Sequence, residues 1–480
     1  MVSSRGTYSR IFLALLCIVG SSSADAALLV VSNTHDAGPG SLRAAVASAS
    51  AGDTIQFNIP TADPGYDASK AMFTIRLTTG EIVIDKDLTI TGPSAANVAI
   101  GGNHASRIFH VTAGAVAMSN LSLVHGRAKG ADGKHADDET DHHDGFPGVG
   151  GAVLNEARLT FTRCTFEGNT AVGGVGLSEI NNGAGGDGQG GAIANQSSLS
   201  MVACTLARNL AKGGKGGLGG GMAPAYCMAD CGIGAGGAIY NASTASALLI
   251  NCTLTANIAA GEGGPTNGTI FGSPAAEGQG GGIANIGSLE LVHSTVSNND
   301  AVGGDSRRAF YGDGVGHPAA GIGGGLCSSA GSASSTRDTI FAGNHVLGGS
   351  SGKGTPRAEA IGPDVNGDMT SQGHNLLGRS DGCTGFTTTD RQGGTTDDMR
   401  LDPKFGALDN YGGPTETLPL LPGSPAINAG SRGGPARDQR GFLRKHVPDI
   451  GAFEYGGAAA FSSDSSPNEY QHRLLPGQNR

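Results

Sequence analysis

The amino-acid sequence predicts an all-β chain that winds into a parallel β-helix, a solenoid with a short N-terminal capping helix and glycine-rich side loops. A first observation is a segment starting with Gly-Gly that occurs five times, at Gly150, Gly190, Gly236, Gly280 and Gly323. A second is composition: 84 of the 480 residues are glycine, and there is no tryptophan. Recurring units with small apolar residues and few aromatics are typical of elongated repeat proteins, in which each unit contacts only its neighbours.

Within each copy, apolar residues alternate with polar ones at the period of a half-buried strand. The copies align on Cys164, Cys204, Cys252, Ser294 and Thr339. An apolar residue follows two positions later, at Phe166, Leu206, Leu254, Val296 and Phe341. We therefore expect Leu254 to face inward and Thr255 to face outward, into solvent.

An asparagine follows three positions after each of these apolar residues: Asn169, Asn209, Asn257, Asn299 and Asn344. Buried amides are tolerated when they are paired, and stacked asparagines pair with one another. We expect these five to form one ladder along the rod.

The remainder of each repeat is a glycine-rich insert that varies in length and content. The inserts span residues 126–149, 172–189, 212–235, 260–279 and 301–322. Constant strands joined by one variable connection indicate loops that leave the coil at the same corner. We expect them to lie side by side as a binding face, with the leading Gly-Gly supplying a positive φ or a close backbone approach.

The N-terminal part predicts export followed by a cap. Residues 1–26 combine Arg5 and Arg10 with a short apolar run and a small-residue cleavage site, which is the pattern of a signal peptide. Residues 27–58 then hold the cap and first strand, with Ser41 as helix N-cap and Gly52 as its end.

Charge and cysteine content exclude some functions. The formal net charge of −10 disfavours nucleic acid as a partner. No later apolar run reaches the ~18 residues of a transmembrane segment. Seven cysteines follow the signal peptide, and Cys227 and Cys231 are the candidate disulfide, with free thiols as the alternative. The stacked Cys164, Cys204 and Cys252 are expected to be reduced apolar core residues.

Longer motifs resemble known bacterial secreted proteins. VSNTHDAGPGSLRAAVASASAGDTIQFNI, from Val31, resembles the opening module of secreted β-helix proteins. IGPDVNGDMTSQGHNLLG, from Ile361, and the later DQRG and DIGAFE resemble the choice-of-anchor Q domain. The GG-x-I-x-N and F-x-x-N repeats resemble those of polymorphic outer-membrane proteins.

This resemblance implies a right-handed, single-stranded parallel β-helix exported to the cell surface or beyond, and it carries over no catalytic residues. It implies coils over residues 59–345 and further coils with a choice-of-anchor Q-like cap over residues 346–455. The polar residues 456–480 are expected to be a disordered tail.

Two kinds of chemistry remain open. The His- and carboxylate-rich residues 135–144 are a candidate divalent-cation site, against the alternative of a solvated loop. Catalysis on a polysaccharide would need charged residues that converge from different coils. The candidates, expected to be dispersed, are Glu156, Glu167, Arg208, Asp300, Arg337 and Asp338.

The sequence therefore favours a surface or extracellular binding or structural protein, adhesin-like and directed at glycans or another cell-surface polymer. The alternative is a polysaccharide lyase or glycoside hydrolase that acts on the wall of the coil.

Overall fold

Successive turns of the chain stack as a parallel β-helix, as predicted. The computed structural model describes residues 26–95, 97–134, 143–177, 183–217, 229–264, 275–306, 317–351 and 356–457. Each full coil adds one strand to each of five sheets, and strand neighbours come from successive coils. Leu206, for example, pairs in parallel with Phe166 on one side and Leu254 on the other.

The five sheets are numbered in the order in which a coil passes through them. Sheet 1 contains Leu28–Val31, Asp53–Phe57, Leu88–Thr91, Ala115–Ser119, Arg158–Thr162, Ser198–Val202, Ser246–Ile250, Ser288–Val292, Ala333–Arg337 and Thr370–Ser371. Sheet 2 contains Tyr66–Asp67, Met72–Arg76, Val98–Gly101, Ser122–Val124, Thr165–Glu167, Thr205–Ala207, Thr253–Thr255, Thr295–Ser297, Ile340–Ala342, Leu376–Leu377 and Arg391–Gln392. Its first two strands form an antiparallel hairpin.

The other three sheets flank the inserts. Sheet 3 contains Arg127–Lys129, Thr170–Val172, Leu210–Lys212, Ile258–Ala260, Asp300–Val302 and His345–Leu347. Sheet 4 contains Gly148–Val149, Gly188–Gln189, Gly234–Ala235, Gly278–Gln279, Gly321–Ile322 and Ala360–Ile361. Sheet 5 contains Ile82–Ile84, Phe109–Val111, Val153–Asn155, Ile193–Asn195, Ile239–Asn241, Ile283–Asn285, Leu326–Ser328, Val365–Asp368 and Cys383–Thr384.

The capping helix spans Leu42–Ser48. Ser41 is its N-cap, since its hydroxyl accepts a hydrogen bond from Ala44 N at 3.2 Å. Leu42, Ala45 and Val46 are buried, so one apolar face of the helix packs against the core. The helix ends at Ser48, before Gly52, and Gly52 adopts a φ of +91°. A 3₁₀ turn spans Asp397–Met399.

The core is a stack of inward side chains, and the predicted asparagine ladder lines one corner. Leu206 and Leu254 are fully buried. Asn209 donates through Nδ2 to Asn257 Oδ1 at 2.9 Å and to the carbonyl of Phe166 at 3.1 Å, so it joins the coils on both sides. Equivalent bonds link all five asparagines. Beyond Asn344 the ladder ends on the carboxylate of Asp364.

A second amide ladder, which the sequence pattern did not predict, lies at the end of sheet 5. Asn155 donates to Asn195 at 2.7 Å, Asn195 to Asn241 at 2.8 Å, and Asn241 to Asn285 at 2.7 Å. Asn285 then donates to the hydroxyl of Ser334. These are the asparagines of the GG-x-I-x-N motif, so this part of the repeat serves the same pairing purpose as the first ladder.

The cysteine ladder is buried and its thiols are free, as expected, but it is more than apolar filling. Cys164 N donates to Cys204 Sγ at 3.4 Å, and Cys252 N donates to Ser294 Oγ at 3.2 Å. The backbone N–H at this turn therefore needs a small acceptor side chain from the next coil. This requirement explains why Ser294 and Thr339 can replace cysteine in the later copies. Burial raises the pKa of Cys164 and Cys204 well above the ordinary value, so these thiols are unreactive.

The leading Gly-Gly pair meets both of its predicted requirements. Gly190 adopts a φ of +67°, while a Cβ on Gly191 would lie 2.1 Å from the carbonyl oxygen of Gly237. The first glycine therefore makes the turn, and the second allows the next coil to approach.

In the described parts of the inserts, neighbouring loops lie side by side, as predicted. Gly174 N donates to Phe146 O, Gly186 N to Gly174 O, and Gly214 N to Gly186 O, at 2.7–2.9 Å. A Cβ on Gly186 would lie 2.1 Å from the oxygen of Phe146. Glycine is required because the outgoing and returning strands of adjacent inserts pack backbone against backbone.

Residues 401–457, here called the C-terminal segment, fold back along the side of the coils. They contain isolated antiparallel bridges, such as Phe405 with Leu420, instead of long strands. Thr415 donates to the carbonyl of Ala203 at 3.1 Å, across 212 residues of sequence. This segment determines which part of sheet 2 remains accessible.

Candidate functional site

Two columns of side chains on sheet 2 point to the outside of the coil. In one of them the type of residue changes from the early coils to the late ones. The register defines one column as Arg76, Gly101, Val124, Glu167, Ala207, Thr255, Ser297 and Ala342. Arg76 is exposed and Glu167 is half-buried. From Ala207 onward the members are small, neutral and buried.

The C-terminal segment covers the later half of this face. Thr205 donates to the carbonyl of Glu416, and Thr253 contacts Thr417 at 3.1 Å. Thr255 is only 3% exposed, so the expectation that it faces solvent was wrong. Its side chain leaves the coil, but a second layer covers the sheet at that point.

The DQRG motif fastens this layer through Gln439. Its Nε2 donates to Thr205 Oγ1 and Thr415 Oγ1, both at 2.9 Å, and its Oε1 accepts from Thr253 at 2.6 Å. Asp438 holds the neighbouring Arg440 through an ion pair of 2.6 Å. The motif therefore replaces the water that would otherwise hydrate the outward hydroxyls of sheet 2.

Buried charges secure the same contact. Arg444 donates to Asn251 Oδ1 at 2.9 Å and lies 3.4 Å from Glu454 of the DIGAFE motif. Burial lowers the pKa of Arg444 and raises the pKa of Glu454. His293 Nε2 lies 3.1 Å from Asp338, and Asp338 binds the hydroxyl of Ser431. Burial, and the nearby Arg444 charge, lower the pKa of His293 to about 4, so this imidazole is neutral at neutral pH.

The earlier half of the face is an open groove. Two adjoining cavities, of about 640 and 470 Å³, share Lys70, Met72, Thr74 and Arg76 in their walls. The smaller cavity extends to the hairpin at Tyr66. The larger one adds the side chains Asn103, His104, Ser122, Val124, His125 and Glu167. The groove thus offers hydroxyl, amide, imidazole and cationic groups along several consecutive coils.

Two imidazoles lie together in the larger cavity. The rings of His104 and His125 are 4.6 Å apart between centroids. Both residues have positive φ, +54° and +52°, and His104 N donates to the carbonyl of His125 at 2.8 Å. Partial burial, together with His104, lowers the pKa of His125. At neutral pH His125 is therefore a neutral base.

One end of the groove is closed by charged residues from both layers. Arg208 donates from Nε and Nη2 to Glu167 Oε1, at 3.0 and 2.7 Å. Its Nη2 also lies 3.8 Å from Glu416 Oε2, in the C-terminal segment. Partial burial raises the pKa of Glu416, and Glu167 adds to this while Arg208 opposes it.

The six candidate catalytic residues are only partly dispersed. Glu167 and Arg208 pair across adjacent coils, which corrects the expectation that no two would converge from different coils. Arg337 lies 3.7 Å from its neighbour Asp338, which is buried beneath the C-terminal segment. Glu156 instead pairs with His110 at 3.0 Å on sheet 5, and Asp300 with His345 at 3.4 Å on sheet 3.

Glu416 and the two histidines were not identified from sequence. Glu416 reaches the site only because the C-terminal segment folds back. The small neutral residues at Ala207, Thr255 and Ser297, in contrast to Glu167, were the available signal that something covers this part of the sheet.

Other predicted sites fall outside the described residues. Cys227 and residues 135–142 of the candidate cation loop are not described, so the disulfide with the buried Cys231 and the cation site stay predictions. Within the described ranges, no group of three or more His, Cys, Asp or Glu residues could hold a metal ion. The described ranges also contain no helix with the length and apolarity needed to cross a membrane.

Comparison with known proteins assigns no family. No family model matches the chain, and no curated protein matches it. Among solved structures, the crystal structure of pectate lyase Pel9A is similar, with 13% identity and a TM-score of 0.35 over 90% of this chain and 97% of that one. At these values the similarity assigns neither ligand nor activity. By the pairing of its own strands, the chain is a parallel β-helix protein.

Proposed function

We propose that the protein is an exported, extracellular or surface-associated polysaccharide-binding protein, and that the open groove on sheet 2 is its binding site. The resemblance of its motifs to the choice-of-anchor Q domain and its N-terminal signal pattern support export. The observation that carries the proposal is the contrast along one sheet: its later half is covered by the protein itself, and its earlier half is left as a polar groove.

The lining suits an extended sugar chain. Asn103, Thr74 and the two imidazoles offer hydrogen bonds to hydroxyl groups, while Met72 and Val124 offer apolar contact to sugar C–H faces. Lys70 and Arg76 add two cations, which favours polymers that carry carboxylates or sulfates. The groove supports this function better than the inserts do, because the described insert backbones are occupied by one another.

Binding to a panel of soluble neutral and acidic polysaccharides tests the proposal. The chain without residues 1–26 is expected to bind at least one polymer, and the double variant Arg76→Ala, His125→Ala should weaken binding by more than about tenfold. Arg127→Ala, on sheet 3 and outside the groove, is the control and should bind normally. Binding to no polymer, or equal loss in both variants, would contradict the proposal.

A second candidate function is cleavage of the bound chain, by a lyase or a glycoside hydrolase. The observation that favours it is the meeting of Glu167 and Glu416 at one end of the groove. Assay of reducing ends and of unsaturated sugar products distinguishes cleavage from binding.

A further inference from the structure

We propose that the groove ends in a hydrolytic site, in which Glu416 is the general acid and Glu167 the nucleophile for cleavage of a glycosidic bond. This inference rests on the proposed polysaccharide binding, because the substrate would be the polymer held in the groove. It adds an activity and assigns the residues that perform it.

The first support is the way the two carboxylates converge. Glu167 extends from a coil strand and Glu416 from the C-terminal segment, yet both contact the same nitrogen of Arg208, at 2.7 and 3.8 Å. The nearest carboxylate oxygens of Glu167 and Glu416 can therefore be no farther apart than the sum of these two distances. The ~5–5.5 Å spacing of retaining glycosidases lies within that limit.

The second support is access. Glu167 lines the larger cavity, and the side chains of Glu416 and Arg208 are 39% and 49% exposed. By comparison, Asp438, Asp449 and Glu454 in the same segment are fully buried. Glu167 thus faces the groove, and the partly exposed Glu416 lies beside it through their shared contact with Arg208.

The third support is that the surroundings separate the roles of the two groups. Both donors of Arg208 go to Oε1 of Glu167, which leaves Oε2 outside this ion pair. Glu416 has the longer contact to Arg208 and is half-buried, and its raised pKa favours the protonated form. A carboxyl group with a raised pKa is suited to be the general acid of such a pair, which leaves the role of nucleophile to Glu167.

The reaction needs only water as a co-substrate. Glu416 gives its proton to the glycosidic oxygen as the bond from that oxygen to the anomeric carbon breaks, and Glu167 forms an ester with the anomeric carbon. A water then attacks this carbon, gives one proton to Glu416 and releases Glu167 as a carboxylate. The products are two shorter chains, one of them with a new reducing end of retained configuration.

The test uses a polysaccharide that the chain binds in the experiment above. Glu167→Gln and Glu416→Gln should each lower the rate of reducing-end formation by about 100-fold or more, with binding retained within about threefold. Glu156→Gln, whose partner His110 lies on sheet 5, is the matched control and should retain full activity. Activity of the unaltered chain should fall as the pH rises and Glu416 loses its proton.

Thermal unfolding distinguishes a catalytic role of the two glutamates from a purely structural role in joining the coils to the C-terminal segment. If Arg208 only links the two layers, the glutamine variants will lower Tm and weaken binding along with any activity. A polymer that is bound but never shortened overturns this inference and leaves the binding function in place. Unsaturated products would overturn hydrolysis in favour of elimination, and absence of any binding would overturn the proposed function itself.

Discussion

Gln439 Nε2 donates to Thr205 Oγ1 at 2.9 Å, although 234 residues separate the two in sequence. Thr205 lies on the outward face of a coil strand, where a hydroxyl would normally be hydrated. By filling that position, Gln439 joins the C-terminal segment to the coils and marks where the open groove ends.

Replacing Gln439 with alanine should loosen the C-terminal segment. The change leaves the hydroxyls of Thr205, Thr253 and Thr415 without this partner, and a buried unsatisfied group costs about 1–3 kcal/mol. We expect a loss of about 2–3 kcal/mol in denaturant unfolding and faster proteolysis within residues 401–457. Gln392→Ala, at an exposed position, is the control and should change neither; matching effects would contradict the assigned role.

Aspartate at Leu254 and at Thr255 should both destabilise, by different routes. Leu254→Asp buries a charge between coils and should cost more than about 4 kcal/mol. Thr255→Asp places the charge beneath the C-terminal segment, so we expect a loss of about 2–4 kcal/mol with release of that segment to protease. Circular dichroism during thermal unfolding measures both.

Thr170→Asp is the control for these two variants. Thr170 lies on sheet 3, in the column of side chains that already contains Asp300. It is half-buried, and among the described residues no hydrogen bond joins its side chain to the C-terminal segment. It should change stability by less than about 0.5 kcal/mol. If Thr255→Asp behaves like Thr170→Asp, the covered face has been misassigned.

Asp364 should make stability depend on pH. Burial raises its pKa to about 6, from 3.8, so between these values the folded chain keeps a proton that the unfolded chain has lost. Stability therefore falls as the pH rises from about 4 to 6, by roughly 3 kcal/mol in total, and the loss persists above pH 6.

Asp364→Asn isolates this contribution. In this variant the free energy of unfolding should no longer change between pH 4 and 6 through residue 364. In the unaltered chain Arg379 N donates to Asp364 Oδ2 at 2.7 Å, and the amide NH₂ group placed there would face that N–H, which lowers stability at every pH. The readout is the difference in unfolding free energy between the two proteins across that pH range. A difference that stays constant with pH would show that Asp364 does not titrate there.

Adding a methyl group at Gly186 should disrupt the stacked inserts. Its Cβ would lie 2.1 Å from the oxygen of Phe146, and both contacting groups are backbone and unable to yield. We expect Gly186→Ala to lower the unfolding temperature by several degrees. Gly101→Ala, where the nearest atom would be 3.5 Å away, should be tolerated; an equal loss in both would refute the packing argument.

Much of the scaffold followed from repetition within the chain. The spacing of Asn209 and Asn257 predicted the ladder because every coil must pair the same buried amide, and a repeated solution leaves a repeated residue. The prediction that Cys204 is an apolar core residue was incomplete. Its Sγ also accepts a hydrogen bond from Cys164 N, and this bond exists only because the two coils are stacked. Glu416 could not be placed at all, because nothing in its local sequence indicates a partner in an earlier coil.

The sequence was enough to predict the parallel coils, the inward apolar positions, the asparagine ladder and the need for glycine at the Gly-Gly that starts each copy. Each of these depends on contacts between equivalent positions of successive coils, which periodicity reveals. The folded structure was needed to show that the C-terminal segment covers the later part of sheet 2 and that His104, His125 and Glu167 line one groove. It was also needed to show that Glu416 lies near Glu167, because both contact Arg208. These contacts join residues that are unrelated by the repeat. Stacking of the early coils brings His104, His125 and Glu167 together, and folding back of the C-terminal segment adds Glu416.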